Sequence, residues 1–230
     1  MEGRSTQGLV RCELQRHPRT LPEVERDGYL REANEKIVKH YAKESGLQWK
    51  WQAIDSKSCA APLGGEKSGK NPTDRGKLGA KIHLLVDGRG AAPLSVVLTG
   101  ANRHDKMAAM DLIVSVMVKR PVNKEQHLCA DKAYDAKDVR EFVALEGYED
   151  HIKVNPRKAA QSDADDDDEL AEKEGSEELY PARRWVVERT ISWLTKRRSL
   201  RTRWSKKAEN WLALVQFACA HVLLNLTVFG

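Results

Sequence analysis

Trp51-Gln52-Ala53-Ile54-Asp55 ends a short apolar run on an aspartate, and His127-Leu128-Cys129-Ala130-Asp131 repeats the pattern. Short apolar runs are typical of buried strands, so we predict that both aspartates project from strand ends at a sheet edge. A third acid, Glu188, lies in residues 180–190, Tyr-Pro-Ala-Arg-Arg-Trp-Val-Val-Glu-Arg-Thr, which we predict to form an amphipathic helix. Two strand-end aspartates and one helix glutamate can hold a pair of divalent metal ions, the apparatus of in-line phosphoryl transfer.

Strand and helix signals alternate around these segments. We predict strands at 47–55, 78–86, 93–99, 127–130 and 151–154, and helices at 21–45, 107–118, 136–145 and about 182–229, the last broken near Arg203 or Ser205. Asp87-Gly88-Arg89-Gly90 predicts a hairpin turn, while Asp135 and Gly147 are the expected cap and stop of the third helix. This element order is typical of a ribonuclease-H-like domain. The predicted fold class is mixed α/β, with a five-stranded mixed sheet flanked by helices and long C-terminal helices.

The composition predicts a globular chain with one sizeable core, since 40% of its 230 residues are hydrophobic and 32% are charged. The net charge of +5 conceals an asymmetry, because residues 162–179 contain ten acids and one lysine. That segment carries −9, so the remainder carries +14. A basic body favours a polyanionic partner, with nucleic acid as the first candidate and an anionic membrane surface as the second.

The cysteines and apolar segments indicate an intracellular protein. Four cysteines are scattered without a Cys-x-x-Cys pair: Cys12, Cys59, Cys129 and Cys219. This spacing argues against both a zinc site and a disulfide framework. The first twenty residues lack the apolar core of a secretory signal. Residues 211–229 are long enough to span a bilayer, but their polar members, such as Gln216 and His221, favour a buried core helix. We therefore predict a cytosolic protein without a membrane partner.

Each acid also has a structural interpretation, because single acids near strand ends often cap helices or stabilise turns. Asp87 is expected in a turn, and Asp105 and Asp135 are expected to cap helices. His104 and Asp105 could form a metal pair or a proton relay, although a cap with a polar neighbour is the commoner arrangement. Three further histidines show no ligand spacing and receive no role: His83, His127 and His151.

Two basic segments are candidates for binding phosphate groups. Residues 64–71 approach the phosphate-loop pattern, but Asn71 replaces the hydroxyl residue and Pro72 follows, so we reject a nucleotide site and predict a flexible basic loop. Residues 183–207 contain ten Lys or Arg and, as their only acid, Glu188, with three tryptophans interspersed. Such a segment is either a solvated helix with inward aromatics or a DNA-binding surface. We favour DNA because the same helix carries the candidate metal-binding glutamate.

At these residues the chain resembles DDE transposases of bacterial insertion sequences, in the insertion-sequence-five family. The resemblance covers roughly Leu47 to the C-terminus. It is carried by these stretches: 51–56, 61–79, 98–105, 127–135 and 181–194. It implies a ribonuclease-H-like catalytic core in which Asp55, Asp131 and Glu188 are the metal-binding catalytic acids.

The resemblance also implies the reaction and the partners. The expected function is metal-dependent DNA strand cleavage and strand transfer, with two Mg²⁺ ions and Mn²⁺ as a substitute. DNA carrying the element's terminal inverted repeats and target DNA would be bound by a homodimer in a synaptic complex, in the bacterial cytoplasm at the nucleoid. The expected DNA-contacting residues are the following: Arg184, Arg189, Lys196, Arg197 and Lys132.

The chain departs from the family pattern in three places. Tyr180 is one position too far upstream of Arg184, and Thr195 occupies the position of a basic residue, with Lys196 beside it. Residues 1–45 are interpreted as a leader and the helical remnant of a truncated N-terminal region. Residues 46–230 are interpreted as the catalytic domain, with a disordered acidic insert at 160–180.

Two other functions are open, and the first of them follows from the short N-terminal region. A truncated transposase could bind DNA, or the full-length partner, without productive turnover. A ribonuclease-H-like nuclease unrelated to transposition is the third hypothesis.

Overall fold

The computed structural model describes residues 29–154 and 183–228. The expectations for residues 1–28 and for the insert at 160–180 lie outside these ranges. The strands are β1 (Trp51–Ala60), β2 (Gly69–Lys70), β3 (Leu78–Asp87), β4 (Pro93–Gly100), β5 (His127–Ala130) and β6 (Glu149–Ile152). The helices are α1 (Tyr29–Glu44), α2 (Ala109–Val114), α3 (Lys137–Leu145), α4 (Trp185–Thr195), α5 (Arg198–Arg201) and α6 (Ala208–Val228).

The long strands form one mixed sheet in the order β4-β3-β1-β5-β6. β3 is antiparallel to both β1 and β4, whereas β5 is parallel to both β1 and β6. The two-residue β2 adds a short antiparallel pairing to β3. Three antiparallel strands followed by two parallel additions are the predicted ribonuclease-H-like topology, and the predicted fold class is confirmed.

Side chains alternate between the two faces of the sheet along each strand. Because both faces carry apolar residues, helices pack on both. Ile54, Leu85 and Leu128 belong to a core cluster with residues of α1, α2 and α3. Trp51, Ala53 and Cys129 face the other way, into a cluster with residues of α4 and α6. Asp55 continues the series that starts at Trp51 and Ala53, so it lies on the face that α4 covers.

Helix α6 packs within this core. It is long and apolar enough to cross a membrane by length and composition, but half of its apolar window is buried inside the fold. Trp211, Val215, Cys219 and Leu223 are among its buried residues. The predicted interpretation as a core helix is confirmed, as is the helix break, since α5 ends at Arg201 and α6 begins at Ala208.

β1 differs from its prediction in a way that matters for the site. The strand runs five residues beyond Asp55, because pairing with β3 continues to Ala60↔Gly79. The prediction that Asp55 ends its strand is therefore wrong. The parallel partner β5 does end at Ala130, as predicted, so one side of β1 loses its neighbour near Asp55.

The loop at residues 64–71, which is predicted to be flexible, is held in place by hydrogen bonds. Glu66 donates its backbone N–H to the carbonyl of Lys206 at 2.9 Å, and Gly69–Lys70 forms β2. Arg203 is fully buried and donates from its guanidinium to the carbonyls of Lys67, Ser205 and Lys206. The flexible-loop interpretation is wrong because a buried arginine joins this loop to the α5–α6 connection.

The expected helix caps are partly different. Asp105 is not a cap, since His104 precedes the 3-10 turn Asp105–Ala108 and accepts from the Lys106 N–H at 3.5 Å. The predicted helix at 107–118 is accordingly shortened to this turn and α2. Ala136 stands at the N-terminus of α3, while Asp135 instead accepts from Arg140 Nε at 3.0 Å. Gly147, with φ of +75°, follows α3 as the predicted stop.

Candidate active site

The register of β1 and β5 brings the two aspartates together. These parallel strands pair Trp51 with His127 and Ala53 with Cys129. Two residues further along each strand, the same register places Asp55 beside Asp131, on the same face. Neighbouring strands lie about 4.8 Å apart. Asp131 is the first residue beyond β5, and its Oδ1 accepts from the Lys132 N–H at 2.8 Å.

Helix α4 supplies the third acid. Its buried residues Val186 and Val187 pack toward the sheet, and Glu188 remains exposed. Arg184, one helical turn earlier, lies 3.0 Å from Glu188 Oε1 through Nη2 and 3.5 Å from Asp131 Oδ2 through Nη1. One guanidinium therefore joins the helix acid to the strand acid. All three candidate catalytic residues meet at one place on the sheet.

The electrostatics of this cluster favour a cation. Burial raises the pKa of Asp55, and the neighbouring Glu188 and Asp131 raise it further, while the Ser56 N–H and Arg184 oppose this shift. The oxygens of the three acids do not all lie within 4.8 Å of one another, since Arg184 stands between Asp131 and Glu188. Carboxylate oxygens are nevertheless the donors that hard divalent cations prefer. The residues present therefore fit a divalent metal.

The hairpin between β3 and β4 fixes α4 in position. Thr190 Oγ1 donates to the carbonyl of Gly90, and Arg189 donates to the carbonyl of Arg89. A Cβ at Gly90 would lie 2.6 Å from the Val186 carbonyl oxygen, and φ there is +61°, so glycine permits this close approach. Asp87, fully buried, accepts backbone N–H bonds from Gln48, Ala91 and Ala92. Its predicted turn role is confirmed.

The expected DNA-contacting residues divide by position. Arg184 and the exposed Lys132 border the acids. Arg189 lies 5.0 Å from the ring centres of both Trp185 and Trp193, so it helps to order α4. Lys196 is exposed at the far end of the helix, about 12 Å from Glu188 at 1.5 Å per residue. Arg197 beside it contacts His221 Nδ1 at 2.5 Å.

Sequence reasoning missed two supports of the site. Tyr134 is buried, and burial together with the nearby Asp105, Asp55 and Asp131 raises its pKa well above the ordinary value. Lys81 Nζ lies 2.8 Å from Asp105 Oδ1, with both side chains mostly buried. The only available signals were an aromatic residue three positions after Asp131 and a lysine inside an apolar strand.

Comparisons with known proteins identify the family of the chain. The family described as "Transposase DDE domain" matches residues 51–223. The protein assigned as transposase for insertion sequence element IS402 in Burkholderia cepacia is 31% identical over 177 residues, covering 75% of this chain and 74% of that protein.

Solved structures with some likeness include two of the Mos1 mariner transposase. Its catalytic domain is 11% identical with a TM-score of 0.34, over 88% of this chain and 97% of that one. A pre-cleavage Mos1 transpososome is 12% identical with a TM-score of 0.32, over 88% and 64%. The family assignment rests on the sequence comparisons and not on these structures.

The matched residues include all three acids, so the interpretation of the chain as an unproductive remnant is not favoured. The narrower assignment to the insertion-sequence-five family stays a prediction. The chain belongs to the transposase DDE-domain family and is a transposase of an insertion sequence.

Proposed function

We propose that Asp55, Asp131 and Glu188 are the catalytic carboxylates of DNA strand cleavage and strand transfer. One observation carries the proposal: the β1–β5 register places Asp55 beside Asp131, and Arg184 joins Asp131 to Glu188.

The same carboxylates would hold the divalent metal, Mg²⁺ or Mn²⁺ in a two-metal arrangement. When bound, such ions lower the pKa of an attacking hydroxyl and stabilise charge on the phosphate. The chain's own contribution is position. The sheet sets the spacing of the aspartates, and the anchored helix α4 holds Glu188 over them.

The basic residues would bind DNA in two groups. Arg184 and Lys132 lie at the acids, where a guanidinium matches the oxygens of the scissile phosphate. Lys196 and Arg197 lie just beyond the C-terminal end of α4, where they would contact the backbone beyond the cleaved bond, and exposed Trp185 adds a stacking surface. Arg189 would act by holding α4. We further propose that the DNA bound includes the terminal inverted repeats of the element and that the protein binds it as a homodimer. The proposed location is the nucleoid in the bacterial cytoplasm.

The test is cleavage and joining of DNA that carries the ends of the flanking element, with Mg²⁺ or Mn²⁺. We expect nicks at the element's ends and joining of a pre-cut end to target DNA. Asp131→Asn and Asp55→Asn should abolish both steps while leaving salt-sensitive DNA binding in a gel-shift assay. Random nicking without joining would indicate an unrelated nuclease. Activity that survives in both variants would contradict the assignment of the acids.

A further inference from the structure

A second cluster of metal-ligating side chains lies at the opposite end of β5 from the acids. His127 and Glu149 are paired across β5 and β6, and His151 is two residues beyond Glu149 on the same face. His127 precedes Asp131 by four residues, which is about 13 Å along a strand. No ligand spacing is visible in the sequence, because parallel strands bring His127 together with residues that lie 22 and 24 positions further along the chain.

The distances match those of a tetrahedral metal site. His127 Nδ1 lies 3.0 Å from His151 Nε2 and 3.2 Å from Glu149 Oε2. His151 Nε2 lies 4.0 Å from Glu149 Oε1. Ligands bound to Zn²⁺ at about 2.0–2.1 Å in tetrahedral geometry are separated by roughly 3.3 Å. The three side chains can face one ion after small movements, in which bonds to the metal replace the hydrogen bond between the two imidazoles.

The surroundings of the cluster also resemble those of a metal site in a folded protein. Both imidazoles are buried, and the Trp51 ring stacks on His127 with centres 4.3 Å apart. The other nitrogen of His127, Nε2, lies 3.4 Å from Glu125 Oε1. A carboxylate in this outer position orients a ligating imidazole and raises its basicity. Glu149 is half-exposed, which leaves an entry path and a fourth position for water.

We propose that His127, His151 and Glu149 form a transition-metal site, for which Zn²⁺ is the fitting ion, separate from the catalytic carboxylates. Two imidazoles and one carboxylate favour Zn²⁺ over Mg²⁺, which prefers oxygen ligands alone. The ion would join the edge strand β6 to β5 beneath Trp51. Arg183, at the start of the helix that carries Glu188, lies over Trp51 at 5.6 Å, so the site supports that end of α4.

The experiment uses the full chain, free of any histidine tag, with Asp55→Asn, Asp131→Asn and Glu188→Gln combined so that the catalytic acids bind no metal. Zn²⁺ binding is measured by equilibrium dialysis, and Co²⁺ serves as the spectroscopic probe. We expect one Zn²⁺ per chain, a higher Tm with Zn²⁺, and the visible absorption of tetrahedral Co²⁺. Glu149→Gln should weaken Zn²⁺ binding at least tenfold, whereas Glu141→Gln, an exposed acid on α3, should leave it unchanged.

Glu149→Gln is the decisive variant because this side chain is half-exposed and its replacement leaves the buried imidazoles in place. His151→Gln should also abolish Zn²⁺ binding. Absence of saturable Zn²⁺ binding would overturn the proposal, as would equal affinity in Glu149→Gln and Glu141→Gln. Neither result bears on the proposed role of the catalytic acids, because the cleavage assay tests that role separately.

Discussion

At the scale of single residues, Arg184 determines how the acids behave before a metal binds. Its guanidinium contacts Asp131 and Glu188 and lowers the pKa of Asp55 against the effect of burial. Three clustered carboxylates would otherwise repel one another. The same positive charge opposes an incoming cation, and under the proposed function we expect Arg184 to turn from the carboxylates toward the DNA phosphate when a metal ion binds.

Arg184→Gln should therefore change metal binding and catalysis in opposite directions. Loss of the nearby positive charge should tighten Mn²⁺ binding, by about tenfold for 1.4 kcal/mol, when measured by calorimetry without DNA. Strand cleavage should fall because the phosphate loses its guanidinium. Arg198→Gln, an exposed change on α5, should leave the Mn²⁺ affinity unchanged. Weaker Mn²⁺ binding in Arg184→Gln would contradict this account.

His83 makes stability depend on pH. It is fully buried, its Nε2 lies 2.7 Å from Thr99 Oγ1, and burial lowers its pKa from 6.5 to about 4. The neighbouring Asp105 opposes this shift and Lys81 adds to it. Between these two pH values the unfolded chain binds a proton that the folded chain excludes. His83 therefore costs no stability above pH 6.5, and stability falls as the pH drops toward 4, by about 3 kcal/mol in all.

Urea denaturation at pH 7 and at pH 5 would measure this dependence. Because carboxylates also titrate in acid, the useful quantity is the difference between variants. His83→Gln should lose less unfolding free energy than the wild type between these pH values. His40→Gln, exposed on α1, should behave like the wild type. Parallel losses in all three proteins would show that His83 is not responsible.

At the scale of elements, the loop before β3 is held by a contact that tolerates no side chain. A Cβ at Gly65 would lie 2.2 Å from the Lys206 carbonyl oxygen, and φ there is +106°. Gly65→Ala should destabilise the protein by about 3 kcal/mol, as backbone strain and a steric clash combine. Gly76→Ala is the matched control, since φ is +72° and its Cβ would meet nothing within 4 Å. It should cost only about 1 kcal/mol in thermal or urea unfolding.

Helix α6 offers an adjacent pair of leucines with opposite environments. Leu223 is fully buried, and Leu224 is 41% exposed. Leu223→Ala should lower the free energy of unfolding by roughly 2–5 kcal/mol, since it leaves a cavity in the core cluster that contains Ile54 and Leu128. Leu224→Ala should cost under about 1 kcal/mol. Equal costs in urea denaturation would contradict the assignment of α6 to the core.

The ends of strands and helices could be predicted where local residues set them. They could not be predicted where pairing with a distant strand sets them. β5 matches its prediction, and Gly147 stops α3 as expected, because turn residues and hydrophobicity fix these ends. β1 extends beyond Asp55 because its pairing with β3 continues, which no local pattern reveals. The grouping of Asp55, Asp131 and Glu188 is predicted by the strand and helix patterns together with the family resemblance. The bridge through Arg184 and the cluster of His127 with His151 depend on tertiary contacts, which no local pattern reveals.

At the scale of the whole molecule, charge should govern the affinity for DNA. The acidic segment at 162–179 carries −9 against +14 in the remainder, so we expect its charge to lower the affinity of the protein for DNA. Replacing the six acids between residues 163 and 169 by their amides should raise non-specific DNA affinity at low salt, by about tenfold. The gain should vanish at high salt, where screening and counterion effects dominate.

Fluorescence anisotropy over a salt series would measure this effect. A variant with the same segment scrambled keeps the charge and should bind DNA as the wild type does. A gain that persists at high salt would mean that the segment acts through specific contacts rather than charge.

The docking of α4 on the β3–β4 hairpin also orders events during translation. Thr190 reaches back across 100 residues to the carbonyl of Gly90, so ribosomes moving at roughly 5–20 residues per second make the hairpin about 5–20 s before the helix. A nascent chain therefore carries both aspartates while Glu188 is still unmade. A chain that terminates early, before α4, lacks Glu188, so under the proposed function we expect prematurely ended translation to yield protein that leaves DNA uncut.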